Sequence, residues 1–232
     1  MSGARRAVVF DMDGLMLDTE RVALECWLDT ARDAGWEITR DDCLAMVGLD
    51  QRASERALMQ RVGQDFPLRE ISDRAKEVYL RRLRSEGIGL KPGLTALLDW
   101  LAAHSVPVAV ATSTRHLLAV EKLELAGLSR RFEVVVCGDQ VPEGKPAPHV
   151  YLEAVAQLGL QPAACVALED SDIGLRAAHA AGLACIVVPD LRPPAAGYAP
   201  LAHAVVPTLR EAHPLVGELL GLPAGAEAMP AR

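Results

Sequence analysis

Apolar positions along this chain fall into two textures. Val8 to Phe10 form a short, unbroken apolar run that ends on Asp11-Met12-Asp13-Gly14, the pattern of a buried strand delivering two acids to its carboxyl end. Beyond it, Leu24, Trp27, Leu28 and Ala31 recur at helical spacing as far as Gly35, and Asp18 or Thr19 stands ready to cap that helix. From Thr39 to Gly63 the pattern continues as short helices broken at Gly48. Pro67 to Arg84 then places Ile71, Ala75, Val78 and Leu83 on one face before Gly87 and Gly89 end it. No strand is predicted between about Leu17 and Leu90.

From Lys91-Pro92-Gly93 onward, strands and helices alternate. The pattern predicts helix at Leu94 to Ala103, strand at Val106 to Ala111, helix at Leu117 to Ala126 and strand at Glu133 to Cys137. Helix His149 to Leu158, strand Cys165 to Leu168, helix Ile173 to Ala180 and strand Ala184 to Val188 follow. A late strand at Ala204 to Val206 and a helix near Ala212 to Leu220 complete the series. Near-continuous apolar strands between helices imply a parallel sheet covered on both faces. The fold class is therefore α/β, a Rossmann-like doubly wound parallel sheet with an all-α insertion after its first strand. Residues 1–16 and 91–220 form the core, 17–90 the helical insertion and 221–232 a frayed tail rich in Gly, Ala and Pro.

Composition narrows the partners. A chain of 232 residues, half of them hydrophobic, can bury a full core. With a net charge of -7, and with lysines and arginines scattered among acids, no nucleic-acid surface is expected. No run approaches the roughly 18 apolar residues of a membrane span, and Met1 to Arg6 lead into too few apolar residues for a signal peptide. A cytoplasmic protein is expected, acting as a monomer or at most a weak dimer. Cys26, Cys43, Cys137, Cys165 and Cys185 include no C-x-x-C pair, which argues against a disulfide framework or a structural zinc.

In a parallel sheet the residues just after each strand gather on one rim. Here they are Asp11 and Asp13, then Thr112-Ser113-Thr114, then Lys145, then Glu169-Asp170. Taken singly, each has an ordinary explanation: an Asp-Gly turn, a helix N-cap, a solvated lysine, a second N-cap. Together they bring acids, hydroxyls and one lysine to a single edge. Two close carboxylates repel, and a cation or a shared proton compensates them best.

The combination D-M-D-G-x-x-x-D-T, K-P-x-P and E-D-S-x-x-G-x-x-A-A-x-x-A-G resembles the haloacid dehalogenase superfamily, in its phosphatase and β-phosphoglucomutase-like branch. The resemblance implies that Asp11 is the nucleophile that attacks phosphorus. It makes Asp13 the acid that protonates the leaving oxygen and then the base that activates water. Thr112, Ser113 and Thr114 would hold the phosphoryl group and Lys145 would neutralise charge. It further implies Mg²⁺ as cofactor, held by Asp11, Glu169, Asp170 and the backbone carbonyl of Asp13. The helical insertion would be a cap over the rim, with Trp27, Gly48, Asp50, Gln51, Arg52 and Lys76 as residues to inspect, of which Gly48, Arg52 and Lys76 are the candidates for substrate contact.

These assignments make physical sense. A phosphate dianion approaches a carboxylate cluster only where positive charge offsets the repulsion, and Mg²⁺ prefers hard oxygen donors. Asp13 must carry a proton at one stage, so its side chain should stand off the metal. Relatives that cleave carbon–halogen or carbon–phosphorus bonds lack an acid at the position of Asp13, so its presence favours phosphate esters. The expected activity is Mg²⁺-dependent hydrolysis of a small phosphorylated metabolite, a sugar phosphate first among the candidates. The rivals are a phosphosugar mutase using the same phosphorylated aspartate and an inactive binding module. Against the mutase, Ala23 stands where the mutase relatives carry a histidine.

Overall fold

A computed structural model describes residues 6–44 and 51–223, with residues 51–55 described by backbone alone. The first apolar run is β1 (Ala7–Phe10). Among the described residues, four helices follow it without an intervening strand: α1 (Thr19–Asp33), α2 (Arg40–Leu44), α3 (Gln51–Val62) and α4 (Leu68–Glu86). The alternating half runs α5 (Leu94–Ala103), β2 (Val108–Thr112), α6 (His116–Leu125), β3 (Val134–Cys137), α7 (His149–Gln157) and β4 (Cys165–Glu169). It finishes with α8 (Asp172–Ala180), β5 (Ala184–Val187), β6 (Ala204–Val205) and α9 (Leu209–Leu220).

The six strands form one sheet in the order β3-β2-β1-β4-β5-β6, and every neighbouring pair is parallel. Alternate residues of β1 serve opposite faces, as strand geometry requires. Val8 and Phe10 pack with α5, α6 and α9 in one apolar cluster, and Ala7 and Val9 pack with α7 and α8 in the other. The chain builds outward from β1 through β2 to β3, then returns to lay β4 on the other side of β1. That reversal puts the topological switch point, where such sheets bind ligands, between the carboxyl ends of β1 and β4.

The predicted order of elements is the observed one, with small boundary differences that have local causes. The first strand of the second half was expected from Val106, yet β2 starts at Val108. Val106 N–H closes the end of α5 by donating to the Leu101 carbonyl, and Pro107 has no N–H to donate to a neighbouring strand. At the other end β4 runs one residue further than expected and takes in Glu169.

The insertion carries an apolar cluster of its own. Ala31, Leu58, Phe66 and Ile71 are buried, and Trp27 and Trp36 pack their rings on Phe66 at centroid distances of 6.0 and 5.3 Å. Trp27 therefore belongs to the packing of the insertion. Its two connections to the sheet run side by side: Leu17 bridges Leu90 antiparallel, Asp18 N–H donates to the Gly89 carbonyl, and Lys91 N–H to that of Met16. The Asp18 side chain does not cap α1; it pairs with Arg21 at 2.6 Å. Among the described residues, no helix is long and apolar enough to cross a membrane.

Candidate active site

A cavity of about 350 Å³ opens at the carboxyl rim of the sheet. Asp11, Asp13, Thr112, Ser113, Thr114, Lys145 and Asp170 all line it. Each arrives for a local reason. Hydrogen bonding of the Asp11 N–H to the Leu168 carbonyl continues the pairing of β1 with β4 and sets Asp11 beside Glu169. Immediately afterwards Gly14 takes a φ of 84°, a left-handed conformation natural to glycine. A β-carbon there would also lie 2.4 Å from Asp170 Oδ2, so the turn both re-aims Asp13 and leaves room for Asp170.

Asp11, Glu169 and Asp170 each offer an oxygen within 4.8 Å of the others. Lys145, with its side chain 3% exposed, is the cation among them, at 2.5 Å from Asp11 Oδ1 and 2.6 Å from Glu169 Oε1. Burial works against its ammonium, but the two carboxylates hold its pKa above the ordinary lysine value. One cation does not balance three acids. Burial, opposed by Lys145 and reinforced by Glu169 and Asp13, pushes Asp11 up to about 8. Burial and the charges of Asp11, Glu169 and Glu20 raise Asp170 well above the usual carboxylate range.

Glu169 is completely buried and fully engaged. Its Oε1 accepts from Lys145 and from the Tyr151 hydroxyl at 2.5 Å; its Oε2 accepts from Asp170 N–H and the Ser171 hydroxyl. Those four donors occupy the four lone-pair sites of a carboxylate. A metal bound directly to Glu169 must displace one of them.

Asp13 keeps different company. Its Oδ1 accepts from Thr19 Oγ1 at 2.7 Å and Lys122 Nζ at 2.6 Å, and its Oδ2 from Thr114 Oγ1 at 2.6 Å. Thr112 Oγ1 accepts the Thr114 N–H. Thr114, expected on the substrate, is thus engaged with Asp13.

Of the insertion residues proposed from the sequence, Trp27 and Lys76 have described side chains, and neither lines the cavity. Lys76 is exposed on α4. Gly48 and Asp50 lie outside the described residues, and the side chains of Gln51 and Arg52 are outside them as well. Conversely, Glu20, Arg192 and Ser171 line the cavity, and Lys122 and Tyr151 hold its acids, none of which was read as functional. For Lys122 a signal existed: it falls on the buried stripe of α6 with Ala119 and Leu123, where helical spacing calls for an apolar residue.

Residues 8–188 match the family described as haloacid dehalogenase-like hydrolase. The chain belongs to that family. The phosphorylated carbohydrates phosphatase of Thermotoga maritima is 34% identical over 177 residues, covering 76% of this chain and 82% of the relative. Among solved structures, the crystal structure of a putative β-phosphoglucomutase from Thermotoga maritima has a TM-score of 0.72 at 31% identity, covering 93% of this chain and 97% of that one. A CbbY variant from Rhodobacter sphaeroides in complex with xylulose-1,5-bisphosphate has a TM-score of 0.67 at 27% identity, covering 89% and 96%. In this haloacid dehalogenase-like hydrolase the paired aspartates of β1, the hydroxyls after β2, Lys145 and the acids after β4 surround one cavity, and the acids are divided between an ion cluster and a separate set of donors.

Proposed function

We propose that this chain hydrolyses small phosphorylated carbohydrates, with Mg²⁺ as cofactor and Asp11 as the group that becomes phosphorylated. Family membership and named phosphatase relatives support the phosphoric monoester hydrolase class. The carbohydrate named for the Thermotoga phosphatase and the sugar bisphosphate bound to CbbY support the substrate class. A cytoplasmic setting is supported by the buried thiols of Cys26, Cys43, Cys137 and Cys185, which form no disulfide.

The observation that carries the mechanism is the different company of Asp11 and Asp13. Two carboxyl groups whose surroundings differ are suited to different parts of one acid–base reaction. A carboxylate oxygen of Asp11 attacks phosphorus, and the ester oxygen leaves with its bonding electrons while taking the proton held by Asp13. Asp13, now a carboxylate, then removes a proton from water. The water oxygen attacks phosphorus, the Asp11–phosphate bond breaks, and Asp11 is regenerated as inorganic phosphate leaves. Thr112 and Ser113 line the cavity where they can donate to phosphoryl oxygens, and Lys145 offsets negative charge on the nucleophile side.

The donor set fits a hard divalent ion: three carboxylates, no thiol or imidazole, and a repulsion among them that one lysine leaves uncompensated. Asp11 and Asp170 would hold Mg²⁺, with the Asp13 backbone carbonyl and with Glu169 once a donor yields. When bound, the ion supplies positive charge that lets a phosphate dianion approach and fixes the direction of attack. A screen of sugar phosphates with Mg²⁺, reading free phosphate, tests the proposal. Release from at least one ester, abolished in Asp11→Asn, is expected, and no release from any ester would overturn it.

A further inference from the structure

Lys122 is a charge in an apolar place. It lies on the buried stripe of α6, its side chain is 6% exposed, and the carboxylate it pairs with is Asp13. Water does not satisfy an ammonium so enclosed, and burying one carries a desolvation cost that an apolar residue would avoid. On its other side Lys122 Nζ lies 5.4 Å from the centre of the Tyr79 ring, within the range of a cation–π contact. Tyr79 belongs to α4 of the insertion. A second link stands beside the first: Arg84, also on α4, binds both carboxylate oxygens of Glu121, at 2.6 and 3.1 Å.

Asp13 therefore takes its donors from three separate pieces of the molecule. Thr19 comes from the start of α1, Thr114 from the loop after β2 and Lys122 from α6. Of these, Lys122 also meets the Tyr79 ring of α4.

We propose that Lys122 is the positioning residue for Asp13, and that its contact with Tyr79 makes this hold depend on α4 being seated against α6. The inference rests on the reading of Asp13 as the proton-transferring group. With α4 in place, the Tyr79 ring covers Lys122, keeps water from its ammonium and leaves the Asp13 carboxylate as its counter-charge. With α4 withdrawn, Lys122 is hydrated and its hold on Asp13 weakens. Asp13 is thereby aligned for proton transfer when the insertion is closed over the cavity, the state in which bulk water is excluded.

The test uses full-length protein, Mg²⁺ and p-nitrophenyl phosphate. Wild-type turnover, and its loss in Asp13→Asn, establish the underlying reading; failure there sinks that reading and is seen before Lys122 is touched. Lys122→Met keeps the length of the side chain and removes its charge. Its kcat should fall about a hundredfold with KM within about twofold of wild type, the signature of an interaction that serves the transition state. Tyr79→Ala should lower kcat about fivefold alone and have no further effect in the Lys122→Met background, because the two act through one contact. An unchanged kcat in Lys122→Met, a change confined to KM, or independent effects of the two substitutions would each overturn the proposal. Circular dichroism checks the fold of each variant. If Lys122→Met does not fold, Tyr79→Ala, which leaves the buried charge pair in place, carries the test, and an undiminished kcat in it is the overturning result.

Discussion

The Glu169 carboxylate fills the space that a β-carbon on Gly174 would occupy. Built on the backbone, that carbon would lie 1.9 to 2.0 Å from the carboxyl carbon and both oxygens of Glu169. The glycine of E-D-S-x-x-G is thus required by the acid five residues before it. Gly174→Ala should destabilise the protein by roughly 1–3 kcal/mol, although alanine is the better helix former, because Glu169 is pinned by four donors and cannot step aside freely. Turnover should fall with it. Thermal unfolding and phosphate release on the same preparation check both; an alanine variant as stable and active as wild type would show that Glu169 has another resting place.

Asp11→Asn should abolish turnover and leave the fold intact. The amide is close in shape to the carboxylate but is neither anionic nor a competent nucleophile. Burial raises the folded pKa of Asp11 from 3.8 to about 8, so folding favours its neutral form. That contribution is full below the unfolded value and is lost as pH rises through about 8. In EDTA at alkaline pH the asparagine variant should therefore melt no lower than wild type. Retention of even about a tenth of wild-type kcat would refute covalent catalysis at this residue.

Much of this architecture can be read from the chain, for a physical reason. Strands buried on both faces leave unbroken apolar runs, and the sheet order delivers their following residues to one rim, so Asp11, Thr112, Lys145 and Glu169 are found by position alone. What the chain does not display is pairing across long separations. Lys122 meets Asp13 over 109 residues of sequence, and in isolation Glu121-Lys122 looks like a solvated helix face. Tyr151 reads as one more core residue of α7, since its burial is evident but the partner of its hydroxyl is not. In the insertion, helical spacing reveals which face is buried but not which residue reaches the cavity. Trp27 went to Phe66 and Lys76 to solvent for that reason.

Removal of divalent ions should stop the reaction. EDTA should abolish phosphate release, Mg²⁺ should restore it, and Ca²⁺, with its larger and looser coordination, should support less. Mg²⁺ should also raise the melting temperature with its concentration, as binding to the folded state requires, and do so less in Asp11→Asn. Full activity in excess EDTA would sink the metal assignment.

Acid should loosen the packing of α5 against α9. Trp100 lies between His104 and His213, with ring centroids 4.6 and 4.7 Å away, and the buried His213 Nε2 has no hydrogen-bond partner among the described residues. Burial, with the nearby His104, lowers the His213 pKa below 6.5. The unfolded chain then binds the proton more readily, so this stability is present above the unfolded value and lost as pH falls through the folded one. Melting temperature should drop as pH falls below the ordinary histidine value of 6.5, and His213→Gln should flatten that slope. An unchanged slope would assign the acid sensitivity elsewhere.

Hydrolysis should prevail over phosphoryl transfer between sugars. A mutase must hold a second sugar phosphate in near-attack geometry, which calls for cations at a second phosphate position. Lys145 is committed to Asp11 and Glu169, and Lys122 to Asp13. Among the described residues lining the cavity, Arg192 alone adds a cation, while Lys76 and Arg115 are exposed and outside the lining. On α1, Ala23 offers no group at the position where the mutase relatives carry histidine, and Glu20, one turn earlier, adds negative charge to the lining. Water, small and abundant, needs no such site. Incubation of β-glucose 1-phosphate with a trace of glucose 1,6-bisphosphate and Mg²⁺ should yield glucose and free phosphate. Formation of glucose 6-phosphate faster than phosphate release would reverse the assignment and make the chain a mutase.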